Sequence, residues 1–190
     1  MMNLQPVEEQ ELIRGLIARK EKAYRIAFQL YGKLVLNAIL KMVPRLEEAE
    51  DLTQEVFIEL FHSVSKFRGE SKLSTWIYRI AIRKSLDHIK AGKRKKRWGK
   101  IFGLSDLGQL EPRNLNHPGV MLEDKEEAEM LYAAIELLPD QQRTAFVLAR
   151  MEGLKQDEVA AIMNTTIGAV ESLLVRANKK LREELKHKLK

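Results

Sequence analysis

The sequence predicts an all-α protein of two small helical domains joined by a flexible linker, and three observations carry that prediction. Apolar residues recur at steps of three and four along most of the chain, the spacing of a helix buried on one side. From Gly92 to about Met121 that periodicity fails, and Gly99, Gly103, Gly108, Pro112, Pro118 and Gly119 punctuate the chain. A structureless loop of that length is uncommon inside one compact domain, so the segment reads as a boundary. Residues 138–185 read as two short helices, a tight polar turn and one long helix. The expected organisation is therefore a first domain over residues 1–95, a linker over 96–123 and a second domain over 124–190.

Taken in order, Pro6 opens a helix at a permitted first-turn position, with Leu12, Ile13, Leu16 and Ile17 as its apolar stripe. A second helix carries Ala23, Ala27, Leu30 and Tyr31 on one side. After Gly32 a further apolar stretch, Leu34 to Val43, stops at Pro44, which cannot continue a helix without losing a hydrogen bond. From Leu46 to about Lys66, Ala49, Leu52, Val56, Leu60 and Val64 define a buried band that Phe57 and Phe61 widen. The opposite stripe is Asp51, Gln54, Glu55, Ile58 and His62. On a basic protein that stripe has two readings: a solvated surface, or a docking face for a positively charged partner with Ile58 as its apolar anchor.

A connection at Phe67 to Leu73 leads to Ser74, a plausible N-cap for a helix reaching about Ala91. Trp76, Ile77, Ile80 and Ala81 face a core, whereas Arg79, Arg83 and Lys90 project elsewhere, with Asp87 four residues beyond Arg83 as an intrahelical partner. Trp76 suits a core position, and beside cations it also suits stacking on an unpaired base. In the second domain, Glu123 to Leu137 forms a helix along Ala128, Leu131, Tyr132, Ile135 and Leu138. Pro139 opens the next, which stops at Gly153. Leu154, Val159, Ala160, Ile162 and Met163 then line a short helix, Asn164-Thr165-Thr166 breaks and recaps the chain, and Ile167, Val170, Leu174, Ala177 and Leu181 line a long one. That is helix-turn-helix grammar, which leaves one face of the second helix free for a major groove; an ordinary helical hairpin would read the same way.

Composition removes several function classes. The chain has no cysteine, so disulfide and thiol chemistry are out, and His62, His88, His117 and His187 are too scattered to suggest a metal site. No window approaches the roughly eighteen apolar residues of a membrane span, and the N-terminus lacks the order of a signal peptide, so a cytoplasmic location is expected. The net charge of +6 matters through its placement: residues 90–100 contain seven basic residues and no acidic one. Such a run fits a polyanion, through counterion release, or a solvated linker. No carboxylate cluster, phosphate-cradling Gly loop or activated nucleophile is visible, so no catalytic residue, cofactor or small-molecule substrate is expected.

A first domain containing AEDLTQEVF and STWIYRIAIRKSLDHIK, a linker, and a second domain containing LPDQQRTAFVLARMEGLKQDEVAAIM together resemble a bacterial sigma factor of the extracytoplasmic-function (ECF) group of the sigma-70 family. The likeness covers nearly the whole chain, residues 8 to 95 resembling region 2 and 125 to 187 region 4. It implies a subunit that binds core RNA polymerase, directs it to promoter DNA and melts the −10 region without being an enzyme, and that an anti-sigma protein holds. Asp51, Gln54, Glu55 and Ile58 would meet the polymerase. Arg68, Ser71, Lys72, Ser74, Trp76, Arg79, Arg83 and Lys90 would meet the −10 element, and Thr165, Thr166, Glu171, Ser172, Val175, Arg176 and Lys179 the −35 element. Arg83 departs from the asparagine common in the family, and Glu171, Leu173, Val175 and Asn178 replace a frequently basic run, so base preferences should differ at these places. The rival readings are a helix-turn-helix regulator that binds an operator alone, which leaves the first domain's motifs without a task, and a nucleic-acid enzyme.

Overall fold

The computed structural model describes residues 6–101 and 125–188, and the regular elements among these are all helical. An N-terminal lobe holds α1 (Pro6–Ile17), α2 (Glu21–Leu40), α3 (Leu46–Ser63) with a trailing 3-10 turn (Val64–Lys66), and α4 (Leu73–Ile101). A C-terminal lobe holds α5 (Lys125–Glu136), α6 (Asp140–Phe146), a π-turn (Val147–Met151), α7 (Gln156–Met163) and α8 (Ile167–Lys188).

The N-terminal core forms where the apolar stripes converge: Leu16, Ala27, Val35, Ala38, Ala49, Val56, Leu60, Ile77 and Ala81 are all fully buried. The first turn is tight enough that a Cβ on Gly15 would stand 2.8 Å from that of Ala23, so this position accepts no side chain without separating α1 from α2. Contrary to the break expected near Gly32, α2 runs through it unbroken. Buried residues on both sides, Tyr31 and Val35, hold the helix across the weak position. Burial, and then the nearby Glu9 charge, push the Tyr31 hydroxyl up to about 12.

Two features of α4 differ from expectation. Its start is capped from outside: Leu73 opens the helix and donates its N–H to Glu9 Oε1 of α1 at 2.7 Å, so Ser74 lies within the first turn and is not the N-cap. A carboxylate there satisfies one orphan donor and opposes the helix dipole. At the other end α4 continues some three turns past Ala91, to Ile101. Lys and Arg are good helix formers, adding residues to an existing helix is cheap, and cations at a C-terminus complement the dipole. Residues 96–101, assigned to the linker, are therefore the end of α4, and the rest of that segment lies outside the described residues.

In the C-terminal lobe Val170, Leu174, Ala177 and Leu181 of α8 pack toward α5, α6 and α7, while Ile167, expected inside, is 48% exposed. Asn164 adopts the left-handed conformation (φ 52°) that ends α7, and Thr166 Oγ1 accepts the Ala169 N–H at 3.2 Å to start α8. Gly153 supplies a φ of 68° after the π-turn.

Candidate functional site

Three surfaces collect the residues singled out by the sequence. On α3, Asp51, Gln54, Glu55 and Ile58 all face solvent along one stripe, opposite the buried Ala49, Leu52, Val56 and Leu60. Ile58 is 58% exposed, an apolar side chain among acids. Glu55 also accepts from Lys84 Nζ of α4 at 2.7 Å, which tethers the stripe to the next helix. Phe28, half exposed on α2 and not singled out by its sequence position, packs edge-on against Phe57 with centroids 4.9 Å apart and enlarges the apolar area beside α3.

The second surface is the connection 67–72 with the outer side of α4. Phe67 and Leu73 are buried at its two ends, while Arg68 and Lys72 are exposed and Ser71 and Ser74 are partly so. Trp76 is half buried: its ring packs edge-on to Phe67 at 5.5 Å, and its Nε1 is enclosed with no acceptor. Along α4, Arg79, Arg83 and Lys90 fall within about 40° of arc at 100° per residue. The extension to Ile101 adds Arg97 within that sector and Arg94 at its edge, about 60° of arc in all, a stripe about 27 Å long that sequence reasoning missed by ending the helix at Ala91. Asp87 is not the partner of Arg83, which instead pairs with Glu59 of α3.

Several of these cations already have protein acceptors. Arg79 Nε donates to the Ala161 carbonyl at the end of α7 at 2.8 Å, and Lys72 Nζ lies 3.4 Å from Glu158 Oε1 at its start. Lys93 Nζ is 2.8 Å from Asp140 Oδ1. Beneath them Lys41 Nζ pairs with Glu152, with side chains 13% and 8% exposed, and donates to the Met151 carbonyl at 2.9 Å. Tyr78 Oη donates to the other Glu152 oxygen at 2.9 Å. Burial, then the Glu152 charge and hydrogen bond, push the Tyr78 hydroxyl far above the ordinary tyrosine range. No periodicity announces Lys41, Tyr78 or Glu152, because their meeting depends on long-range packing.

The third surface is the open side of α8. Thr165, Thr166, Glu171, Ser172, Val175, Arg176 and Lys179 are all exposed, and the helical residues from Glu171 onward share one broad face. Val175 is 68% exposed, with Glu171 one turn before it and Lys179 one turn after. Arg176 Nε donates to the Ser172 carbonyl at 3.1 Å, which lays its guanidinium along the helix. The face carries donors, one carboxylate and an apolar contact, the kinds of group that distinguish base edges in a major groove.

Comparison with known proteins gives a consistent picture. Residues 27–95 match the family model described as Sigma-70 region 2, and residues 128–181 the one described as Sigma-70, region 4. The chain is 29% identical to the RNA polymerase sigma-H factor of Pseudomonas aeruginosa over 182 residues, covering 94% of each. It is equally 29% identical to the ECF RNA polymerase sigma-E factor of Escherichia coli strain K12, covering 89% of this chain and 90% of that one. Among solved structures, CnrH in complex with the cytosolic domain of CnrY shares the fold with a TM-score of 0.68 at 19% identity, covering 94% and 97% of the two chains. The sigma factor RpoE of Bartonella quintana, solved with the anti-sigma factor NepR, does so with 0.64 at 24% identity, covering 87% and 98%.

Proposed function

Because this chain belongs to the sigma-70 family, we propose that it is an ECF-type initiation factor that recruits core RNA polymerase, places one lobe on each of two promoter elements and melts the −10 region. The observation that carries the reading is the face of α8. A tight turn with an Asn164 stop and a Thr166 cap presents seven polar, charged or apolar groups to solvent, while Val170, Leu174 and Ala177 anchor the helix behind them. Such a helix is held rigid on one side and is free on the other to enter a groove.

The acidic stripe of α3 docks on a basic helical surface of the polymerase, where Asp51, Gln54 and Glu55 supply complementarity and Ile58 the desolvated anchor. The connection 67–72 receives an unpaired base of the −10 element, with Arg68, Ser71, Lys72 and Ser74 as polar contacts and Trp76 at its back. The basic stripe from Arg79 to Arg97 follows phosphates over roughly eight base-pair steps. On α8, Arg176 suits a guanine edge, Val175 a thymine methyl and Glu171 a cytosine amino group. Nucleotide chemistry stays with the polymerase, and the protein acts in the cytoplasm. An anti-sigma protein holds it in reserve; the similar RpoE of Bartonella quintana was solved in complex with one, NepR.

Run-off transcription with core polymerase on a library of genomic fragments tests the proposal. Start sites sharing two spaced elements are expected. Transcription independent of this protein, or a tight sequence-specific complex of the free chain at physiological salt, would favour an operator-binding regulator instead.

A further inference from the structure

Arg83 belongs to the basic stripe of α4, but a carboxylate from the neighbouring helix stands against it. Its Nη2 pairs with Glu59 Oε1 of α3. The other carboxylate oxygen, Oε2, lies 3.7 Å from Lys84 Nζ, and Lys84 Nζ is in turn 2.7 Å from Glu55 Oε2. Glu55, Lys84, Glu59 and Arg83 therefore alternate in sign across the α3–α4 seam, two carboxylates against two cations. The inner pair, Lys84 and Glu59, have side chains 22% and 29% exposed, whereas that of Arg83 is 56% exposed. The carboxylate is thus held from behind, and the guanidinium at the end of the row stays accessible.

Joining the two helices is a small part of what this row does. An apolar core containing Val56, Leu60, Ile77 and Ala81 already packs α3 on α4, and an ion pair with so exposed an arginine adds little stability. Its larger effect is on what Arg83 offers to DNA. An arginine with no neighbouring acid gains from any phosphate, because it releases a counterion wherever it lands. Beside Glu59 that charge is offset, and a phosphate nearing Arg83 also nears a carboxylate. A base edge carries no net charge and escapes the repulsion. The guanidinium keeps further N–H donors in a rigid planar fork, and a fork already oriented loses little side-chain freedom on binding. Its best complement is a base with two adjacent acceptors, the O6 and N7 of guanine.

We propose that Glu59 is a positioning residue that sets specificity: it offsets and orients Arg83, so that Arg83 reads a guanine edge in the −10 element and is the exception within a stripe that otherwise follows phosphates. The inference rests on the proposed role of α4 in −10 binding.

The test uses holoenzyme on a promoter mapped by run-off transcription, with each −10 position replaced in turn and affinity followed against salt. Wild type should favour guanine at one −10 position on the order of tenfold. Arg83→Ala should abolish that preference and leave the slope of log affinity against log salt unchanged. Glu59→Gln, close in shape but uncharged, should flatten the same preference, strengthen binding to mismatched promoters and steepen the slope by about 1, as Arg83 becomes a phosphate contact. Glu59→Asp, which keeps the charge, should retain the shallower slope.

A wild type without a guanine preference would overturn the assignment. So would an Arg83→Ala holoenzyme that binds all sequences more weakly alike with a slope lower by about 1, which would make Arg83 an ordinary phosphate contact. A Glu59→Gln protein that melts earlier but keeps both slope and preference would reduce the pair to a staple between helices. Each of these results leaves the initiation role intact. A wild-type holoenzyme that starts no transcript would remove that role, and the assignment with it.

Discussion

The α4 surface and the α8 face are both proposed to touch DNA, yet they are built in opposite ways. The α4 stripe is almost purely cationic, and Arg79 and Arg83 each have a protein acceptor in this conformation, as does Lys93 beside it. The α8 face is chemically mixed and open, with Glu171, Val175 and Arg176 all exposed. A cationic stripe gains affinity from any phosphate backbone, so each cation engaged by a protein acceptor is one fewer for indiscriminate binding. A mixed face gains little from phosphates and depends on matching base edges, so leaving it open costs little specificity. The two faces thus differ in chemistry and in how many of their donors are already engaged, and less in exposure, since Arg83, Lys90, Arg94 and Arg97 are exposed as well.

The severest way to break that contrast is to remove one reader. Val170→Asp buries an unpartnered carboxylate behind α8, at an expected cost above about 3 kcal/mol. Footprints of the holoenzyme should lose −35 protection while −10 protection persists. Arg176→Ala is milder and should weaken promoter binding by about 1 to 3 kcal/mol, with relaxed preference at a single −35 position. Equal affinities across a −35 variant series, before and after substitution, would show that Arg176 reads no base.

Arg97→Ala tests the other side of the comparison. It should weaken binding alike on all sequences and reduce the slope of log affinity against log salt by about 1, since one phosphate contact is lost. A sequence-dependent loss would mean that the extension of α4 reads bases too. At neutral pH the tyrosines distinguish the lobes not at all, but under alkali they should. The folded pKa of Tyr31 lies at about 12, above the ordinary 10, so its contribution is complete below pH 10 and is lost as pH rises through 12. Tyr78 is raised further and Tyr24 is also raised, against Tyr132 alone in the C-terminal lobe. Absorbance titration of phenolate against helix content should show the N-terminal lobe ionising and melting together.

Where local pattern dictated structure, the sequence was readable. The three-and-four spacing of α3 placed Asp51 to Ile58 on an outward stripe, and Asn164-Thr165-Thr166 located the turn before α8 to the residue. The last three turns of α4 escaped, because a helix without an apolar face leaves no periodic trace; its cause is propagation from an anchored segment plus helix-forming Lys and Arg. Gly32 misled for a related reason, since packing on both sides outweighs a local weakness. Glu9 on the Leu73 N–H, the π-turn, and Lys41 with Glu152 are joined only by the tertiary fold. The candidate DNA faces were therefore legible as faces, whereas the contacts of Arg79, Lys72 and Lys93 with the C-terminal lobe were not.

The tie from Glu9 to the start of α4 has a further consequence. It fixes one end of the connection 67–72, and the buried Phe67 fixes the other, so only a short span is left to settle around an incoming nucleotide. Much of the ordering entropy is spent when the lobe folds, so less of the binding energy is lost at the moment of strand separation. If the connection receives a base as proposed, a helix remote from the DNA thereby lowers the threshold for capturing one that is unpaired only briefly.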